Sequence, residues 1–228
     1  MTSVLIAVTA ATHWTLADGS TYPCGFWPEE LIDAHRLFAE AGYRITLATP
    51  GGVTPTPDPA GLIEEAAAYL SALGTELTRP HVLEHQQTDS YDLLYVPGGH
   101  GPMEDLAVNA ELGALVRELH LSGKPVSAVC HGTAAVLRAQ DDTGDWLFRG
   151  FECTGFTTEG ERDFDLELRA PWLLEGRIAD LGGHYTRARD PWGAHVVVDR
   201  GLYTGQNPAS TEPLVKRLIA DLNGTWTA

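Results

Sequence analysis

The stretch Lys124-Pro125-Val126-Ser127-Ala128-Val129-Cys130-His131-Gly132-Thr133-Ala134-Ala135 decides the fold. Pro125 opens a short apolar run, Val126 to Val129, of the kind buried on both faces of a parallel sheet. The run stops at a cysteine, a histidine and a glycine, and small, helix-compatible residues follow at once. A strand that turns directly into a helix with a nucleophile at the corner is a nucleophile elbow. The turn pushes the side chain out at the sheet edge. It also aims the first N–H groups of the helix at that side chain, where they favour negative charge. A Cys130 thiolate is therefore expected to be stabilised, with a lowered pKa and raised reactivity. Taken alone, Cys130 also fits a buried structural thiol at the end of a core strand. The adjoining histidine and glycine are poor core material and favour the reactive thiol.

Outward from the elbow, strand and helix signals alternate. Val4 to Val8 reads as a central strand, and the polar, Gly/Pro-containing segment Thr9 to Phe26 as a long loop of the functional kind. Trp27 to Ala41 has helical spacing, with Pro28, Glu29 and Glu30 suited to a first turn and Gly42 to the cap. Arg44 to Ala48 is a second strand, followed by a turn at Pro50-Gly51-Gly52. Val53 to Pro59 is a proline-rich loop and Leu62 to Leu73 a weakly patterned helix. Thr75 to Ser90 has no clear assignment. Tyr91 to Val96 is a strand ending at Pro97-Gly98-Gly99-His100-Gly101, and Asn109 to Leu121 a helix. The elbow helix runs to about Ala139. Asp141 to Gly150 is turn-rich, without the distant glutamate a calcium loop requires. Phe151 to Phe156 reads as a strand and Phe164 to Leu181 as a helix interrupted around Pro171. His195 to Asp199 and Leu202 to Thr204 form a last β region before a helix over Pro208 to Leu222. This alternation predicts one α/β domain over residues 1–228, a doubly wound, mostly parallel sheet with helices on both faces. Sites in such sheets form beyond the carboxyl ends of the strands.

With 228 residues, 43% hydrophobic and 20% charged, the chain can bury one large core. Fifteen basic against 31 acidic residues leave a net charge of -16, which repels nucleic acid and anionic membrane surfaces. No run approaches the roughly 20 apolar residues of a membrane span. Three separated cysteines, Cys24, Cys130 and Cys153, fit neither a disulfide framework nor a zinc knuckle. A cytoplasmic protein is expected, since a reducing compartment suits free thiols and no signal peptide is read. The scattered histidines suggest no metal site.

Two strand ends besides the elbow carry unusual chemistry. Gly98 and Gly99 let backbone N–H groups approach a ligand closely and could supply an oxyanion donor opposite the elbow amide; read blandly, they are a turn. Glu30 is either a helix-start acid or a buried proton carrier. His131 can take the proton of Cys130 only if another group orients its ring.

A-V-C-H-G, with Y-V-P-G-G-H-G upstream, resembles the ThiJ/PfpI superfamily of the class I glutamine amidotransferase-like (flavodoxin-like) fold. The branch is that of the glutathione-independent glyoxalases (glyoxalase III) and the heat-shock-31-type chaperones. G-F-W-P-E-E-L at Gly25 to Leu31, A-G-Y-R-I-T-L-A-T-P-G-G at Ala41 to Gly52, T-G-F-T-T-E-G-E at Thr154 to Glu161 and T-G-Q-N-P-A-S at Thr204 to Ser210 extend the likeness over nearly the whole chain. The resemblance implies Cys130 as nucleophile, His131 as its partner and Glu30 as the acid that moves protons. Glu161 would orient His131, with Glu159 as second choice because the segment departs from the commoner pattern of adjacent acids. Gly99 and the His131 amide would form the oxyanion hole. Gly98, His100 and Glu159 are candidate pocket residues, as is Cys24, which stands where related chains often carry threonine and would place a second thiol near Cys130. The implied activity is conversion of methylglyoxal to lactate through a hemithioacetal, with no metal or other cofactor, on a small carbonyl substrate. A homodimer is expected. Deglycation, amide hydrolysis, a specialised hydratase, a holdase chaperone and a cysteine-oxidation stress sensor are the competing readings on the same fold.

Overall fold

The computed structural model describes residues 1–224. In chain order, β1 (Ser3–Ala7) is followed by a hairpin of β2 (His13–Thr15) and β3 (Thr21–Pro23), then α1 (Pro28–Glu40) and β4 (Arg44–Thr49). Next come α2 (Glu64–Ala72), α3 (Thr75–Thr78), β5 (His81–Val82), β6 (Leu93–Val96), α4 (Gly101–Glu104), α5 (Ala110–Leu121) and β7 (Val126–Val129). The remainder holds β8 (Glu152–Cys153), α6 (Leu174–Asp180), β9 (His184–Tyr185), β10 (Val196–Asp199), β11 (Leu202–Gly205) and α7 (Thr211–Asn223). Seven strands form one sheet in the order β10-β11-β7-β6-β1-β4-β5. Every neighbouring pair is parallel except β10 with β11.

Because side chains alternate along a strand, each central strand feeds two cores. Val4, Ile6 and Val8 pack on one face with Leu31 and Phe38 of α1 and Leu214 and Leu218 of α7. Leu5 and Ala7 pack on the other with Leu112, Leu115, Val116 and Leu119 of α5. Burial on both faces is why these strands read as continuous apolar runs.

Several boundaries differ from the sequence reading. The Thr9–Phe26 loop contains the β2–β3 hairpin, in register Trp14↔Tyr22; three-residue strands are too short to show alternation. The elbow run Cys130–Arg138 is 3-10 rather than α. Phe151–Phe156 narrows to β8, which pairs with β9 outside the main sheet. Of Phe164–Leu181 only α6 is α-helical; a 3-10 turn over Gly160–Phe164 ends at Asp165, whose φ is 57°. In Asp141–Gly150, Asp141 Oδ1 accepts from the N–H groups of Thr143 and Asp145, which makes it a self-capped turn. Within Thr75–Ser90, β5 adds an edge strand beside β4.

Two constraints bring the site together. Cys130 sits at φ 58°, the left-handed corner that ends β7. Gly132 lies so close to the end of β6 that a Cβ there would be 2.4 Å from the Val96 carbonyl oxygen and 2.8 Å from that of Pro97. Both neighbours are backbone and cannot move aside. Gly132→Ala should therefore lose about 1–3 kcal/mol of stability by overpacking. Gly176→Ala in α6, where a Cβ meets nothing within 4 Å, should gain about 0.5–1 kcal/mol from helix propensity. Urea unfolding of both variants checks the opposite signs.

Candidate active site

The first turn of α1 is pinned to the glycine loop after β6. Trp27 N–H donates to the Gly98 carbonyl at 2.9 Å, and Gly101 N–H to the Gly25 carbonyl at 3.1 Å. This places Glu30, with 0% of its surface exposed, beneath the elbow. Its Oε2 accepts the Gly98 N–H at 2.6 Å, while Oε1 has no other partner and faces the Cys130 thiol. Gly98 must lack a side chain: a Cβ would lie 2.8 Å from Cys130 Cβ and 2.9 Å from Glu30 Oε2. Burial pushes the Glu30 carboxyl up to about 8, against the pull of the Gly98 N–H and the thiol.

Cys130 is 4% exposed. Burial and the neighbouring Glu30 push its thiol up, and the N–H groups of His131 and Gly99 that point at it pull less strongly the other way. The expectation of a lowered thiol pKa is therefore corrected. The turn supplies its donors, but the strand end is too deeply buried for them to dominate. With both groups raised, Cys130 and Glu30 form a coupled pair whose first proton leaves as a property of the pair.

His131 links that pair to a carboxylate. Its Nε2–H donates to Glu161 Oε1 at 2.7 Å, so in the neutral ring Nδ1 is bare and accepts from Sγ at 3.4 Å. Burial and the neighbouring His100 lower the His131 pKa, opposed by Glu161. Burial would raise Glu161, but His131 and His100 hold it down at about 2. Glu161 is thus ionised and 2% exposed. Glu159 lies at the surface, paired with Arg187 at 2.6 Å, and Asp163 accepts from Trp192 Nε1 at 2.6 Å. Neither is hydrogen-bonded to His131.

The structure thus gathers Glu30, Gly98, Gly99, His100, Cys130, His131 and Glu161 and leaves out Glu159. Cys24 is buried in the core on the other face of the sheet from that of Cys130, and its thiol is pushed far up by burial. That arrangement does not support a second thiol beside the first. Cys153 is also buried and raised, to about 12. Sequence reasoning missed the aromatic wall of Trp27, Phe156, Phe164 and Trp192, which with Pro208 lines a small open cleft at Cys130. It also missed Asp58, 1% exposed. Gly25 admits the Asp58 loop, because a Cβ there would strike the Thr56 carbonyl oxygen at 1.9 Å. Phe26 then donates its N–H to the Thr56 carbonyl at 3.0 Å and accepts from the Asp58 N–H at 2.7 Å. One lone acid among prolines carries no periodic signal.

His100, His131 and Glu161 are also the one cluster among the described residues whose ligand atoms, all within 4.8 Å of one another, could close on a cation. Both Glu161 oxygens already accept N–H donors, which accounts for the cluster without an ion.

A doubly wound sheet with a strained cysteine at the elbow, and a histidine beside it held by a carboxylate, defines a class I glutamine amidotransferase-like chain. Residues 25–221 match the DJ-1/PfpI family, and the chain belongs to it. It is 32% identical over 182 residues to glutamine amidotransferase-like class 1 domain-containing protein 1 of Bos taurus, covering 79% of this chain and 81% of that one. It is 28% identical over 233 residues to glyoxalase 3 of Candida albicans, covering 96% and 98%. Among solved structures, rapid encystment protein 24 kDa of Francisella tularensis superposes with a TM-score of 0.89 at 26% identity, over 97% of this chain and 99% of that one. No helix among the described residues is long and apolar enough to cross a membrane.

The coupled pair makes a pH prediction. Glu30 holds its proton at neutral pH and ionises as pH passes about 8; its charge then pushes the neighbouring thiol further up, so alkylation of Cys130 by iodoacetamide should rise only at a pH above that. In Glu30→Gln that charge is gone, and the midpoint of alkylation should move lower. A midpoint unchanged by the substitution would show that the two groups are not coupled.

Proposed function

We infer that the chain is a cysteine-dependent enzyme of the glutathione-independent glyoxalase type, converting methylglyoxal to lactate. The observation that carries this reading is the buried Cys130–Glu30 pair beneath a small aromatic pocket. A protonated acid and a thiol in contact suit a reaction that adds sulfur to a carbonyl and then moves protons between adjacent atoms. The likeness to glyoxalase 3 of Candida albicans supports it.

The chemistry balances as follows. With one proton on the pair, Cys130 sulfur bonds to the aldehyde carbon and Glu30 gives its proton to the aldehyde oxygen. The product is a hemithioacetal, and Glu30 is left as a carboxylate. That carboxylate removes the hydrogen from the same carbon, giving an enediolate, and returns it to the neighbouring carbon while the hydroxyl proton of the first carbon passes to the second oxygen, giving a thioester of lactate. The N–H groups of Gly99 and His131 hold the developing oxyanion. His131, with Glu161 on its far nitrogen, takes a proton from water as the water attacks the thioester, and lactate leaves as the thiol is restored. The protein's own thiol takes the place of glutathione.

The pocket also sets a substrate class. Its lining contains aromatic rings and no lysine or arginine. Neutral 2-oxoaldehydes with a small apolar substituent fit it; a carboxylate would be buried unpaired.

A lactate assay with methylglyoxal tests the reading. Wild type should form lactate, Cys130→Ala and Glu30→Gln should not, and glyoxylate should be a far poorer substrate than methylglyoxal. Folded wild type that forms no lactate would overturn it. Glu161→Ala should lower turnover by roughly 10- to 10⁴-fold, the range for losing a proton-transfer partner or its orienting group. Glu159→Ala, which removes only a surface ion pair, should change it little.

A further inference from the structure

His100 enters none of these steps, yet it is built into the site as firmly as His131. It is 1% exposed. Its Nε2–H donates to Glu161 Oε2 at 3.1 Å, so the two oxygens of one carboxylate each hold one histidine. The ring is stacked on Trp14 at 5.9 Å and enclosed edge-on by Tyr22 at 5.4 Å and Phe164 at 4.9 Å. On its far side, Nδ1 and Asp58 Oδ2 face each other 4.0 Å apart, and neither buried atom has a hydrogen-bond partner. Two unpartnered buried polar atoms of opposite character form a pair that closes by a small movement, because leaving either alone is costly.

We propose that His100 is a positioning residue: held between Asp58 and Glu161, it fixes the Glu161 carboxylate on His131 Nε2 and so keeps the bare Nδ1 of His131 turned to the Cys130 thiol. The partition follows from charge. A histidine between two carboxylates favours its doubly protonated form. Burial lowers His100, but Asp58 and Glu161 outweigh it and the net direction is up. A cation there repels a second proton on His131, whose ring centroid is 4.2 Å away. It also lowers the cost of keeping Glu161 ionised out of water. One imidazolium and one neutral imidazole on the same carboxylate are thus assigned to different nitrogens by Asp58, which only His100 can reach. The titratable groups around His100 are Tyr22, Asp58, Glu161 and His131, with Glu30 farther off; Asp58 and Glu161 are the anions that decide its state.

The role rests on the proposed use of His131 as a base, but its test does not require turnover. Imidazole ¹⁵N NMR of the full-length wild type at neutral pH should show His100 with both nitrogens protonated and His131 with Nδ1 bare. His100→Gln can keep a donor on Glu161 but loses the charge. In that variant the His131 titration should move up by about one pH unit or more, the size expected for one neighbouring charge. Asp58→Asn, which removes one of the two anions holding His100 up, should shift the His100 titration down in the same spectra. A neutral His100 in wild type, or a His131 titration unmoved in folded His100→Gln, would overturn the assignment. If His100→Gln does not fold, the wild-type spectrum still decides. Failure of the glyoxalase reading would register separately, as absent lactate with these NMR states intact.

Discussion

A carboxyl group with no access to water and one hydrogen-bond donor is the constraint on which this structure turns. Glu30 accepts a single N–H, from Gly98, and its other oxygen meets only the Cys130 thiol. One such bond does not replace the hydration of an anion, so the proton stays on at neutral pH. Much else can be read as the cost of holding that carboxyl there. Gly98 has no side chain because one would strike both members of the pair. The backbone of α1 is fastened to the glycine loop through Trp27 N–H, and to the sheet where the Tyr95 hydroxyl donates to the Glu30 carbonyl at 3.0 Å. Cys130 accepts a left-handed backbone so that its sulfur points at the acid rather than into the core.

A second device lies on the opposite side of the sulfur. Glu161 is ionised in a place as dry as that of Glu30, and the difference is its partners: two histidine N–H donors against one backbone amide. The environment pushes two buried glutamates, one against the thiol and one beyond the His131 ring, to opposite protonation states. Separation of that kind is how acid and base roles are divided within one site.

The elbow and the central strands were legible in the sequence because each has a local signature, whereas Glu30 alone reads as a helix-start acid and was singled out by the family resemblance. The strands are continuous apolar runs, and the Val-Cys-His-Gly corner breaks one of them with residues a core does not want. Glu161 was preferred to Glu159 by the family resemblance, and the two do point to opposite environments. What was not legible depends on distant packing. The direction of the Cys130 shift is set by how much of the sheet and α1 closes over it, whereas the sequence reveals only the donors of the turn. Asp58 and Trp192 lie in stretches without periodicity, and they reach the site because Gly25 admits one loop and Asp163 holds the other through the Trp192 indole. The β2–β3 hairpin was hidden in the same way: Trp14 and Tyr22 are recognisable as partners only once His100 stands between them.

The central claim is that Glu30 is a neutral acid poised against the thiol. Infrared difference spectroscopy of wild type against Glu30→Gln reads that state without substrate. The account predicts a protonated carboxylic C=O band, present in wild type at pH 7, absent from the variant and lost as pH rises through about 8. A wild-type spectrum at pH 7 showing only a carboxylate for Glu30 would contradict it.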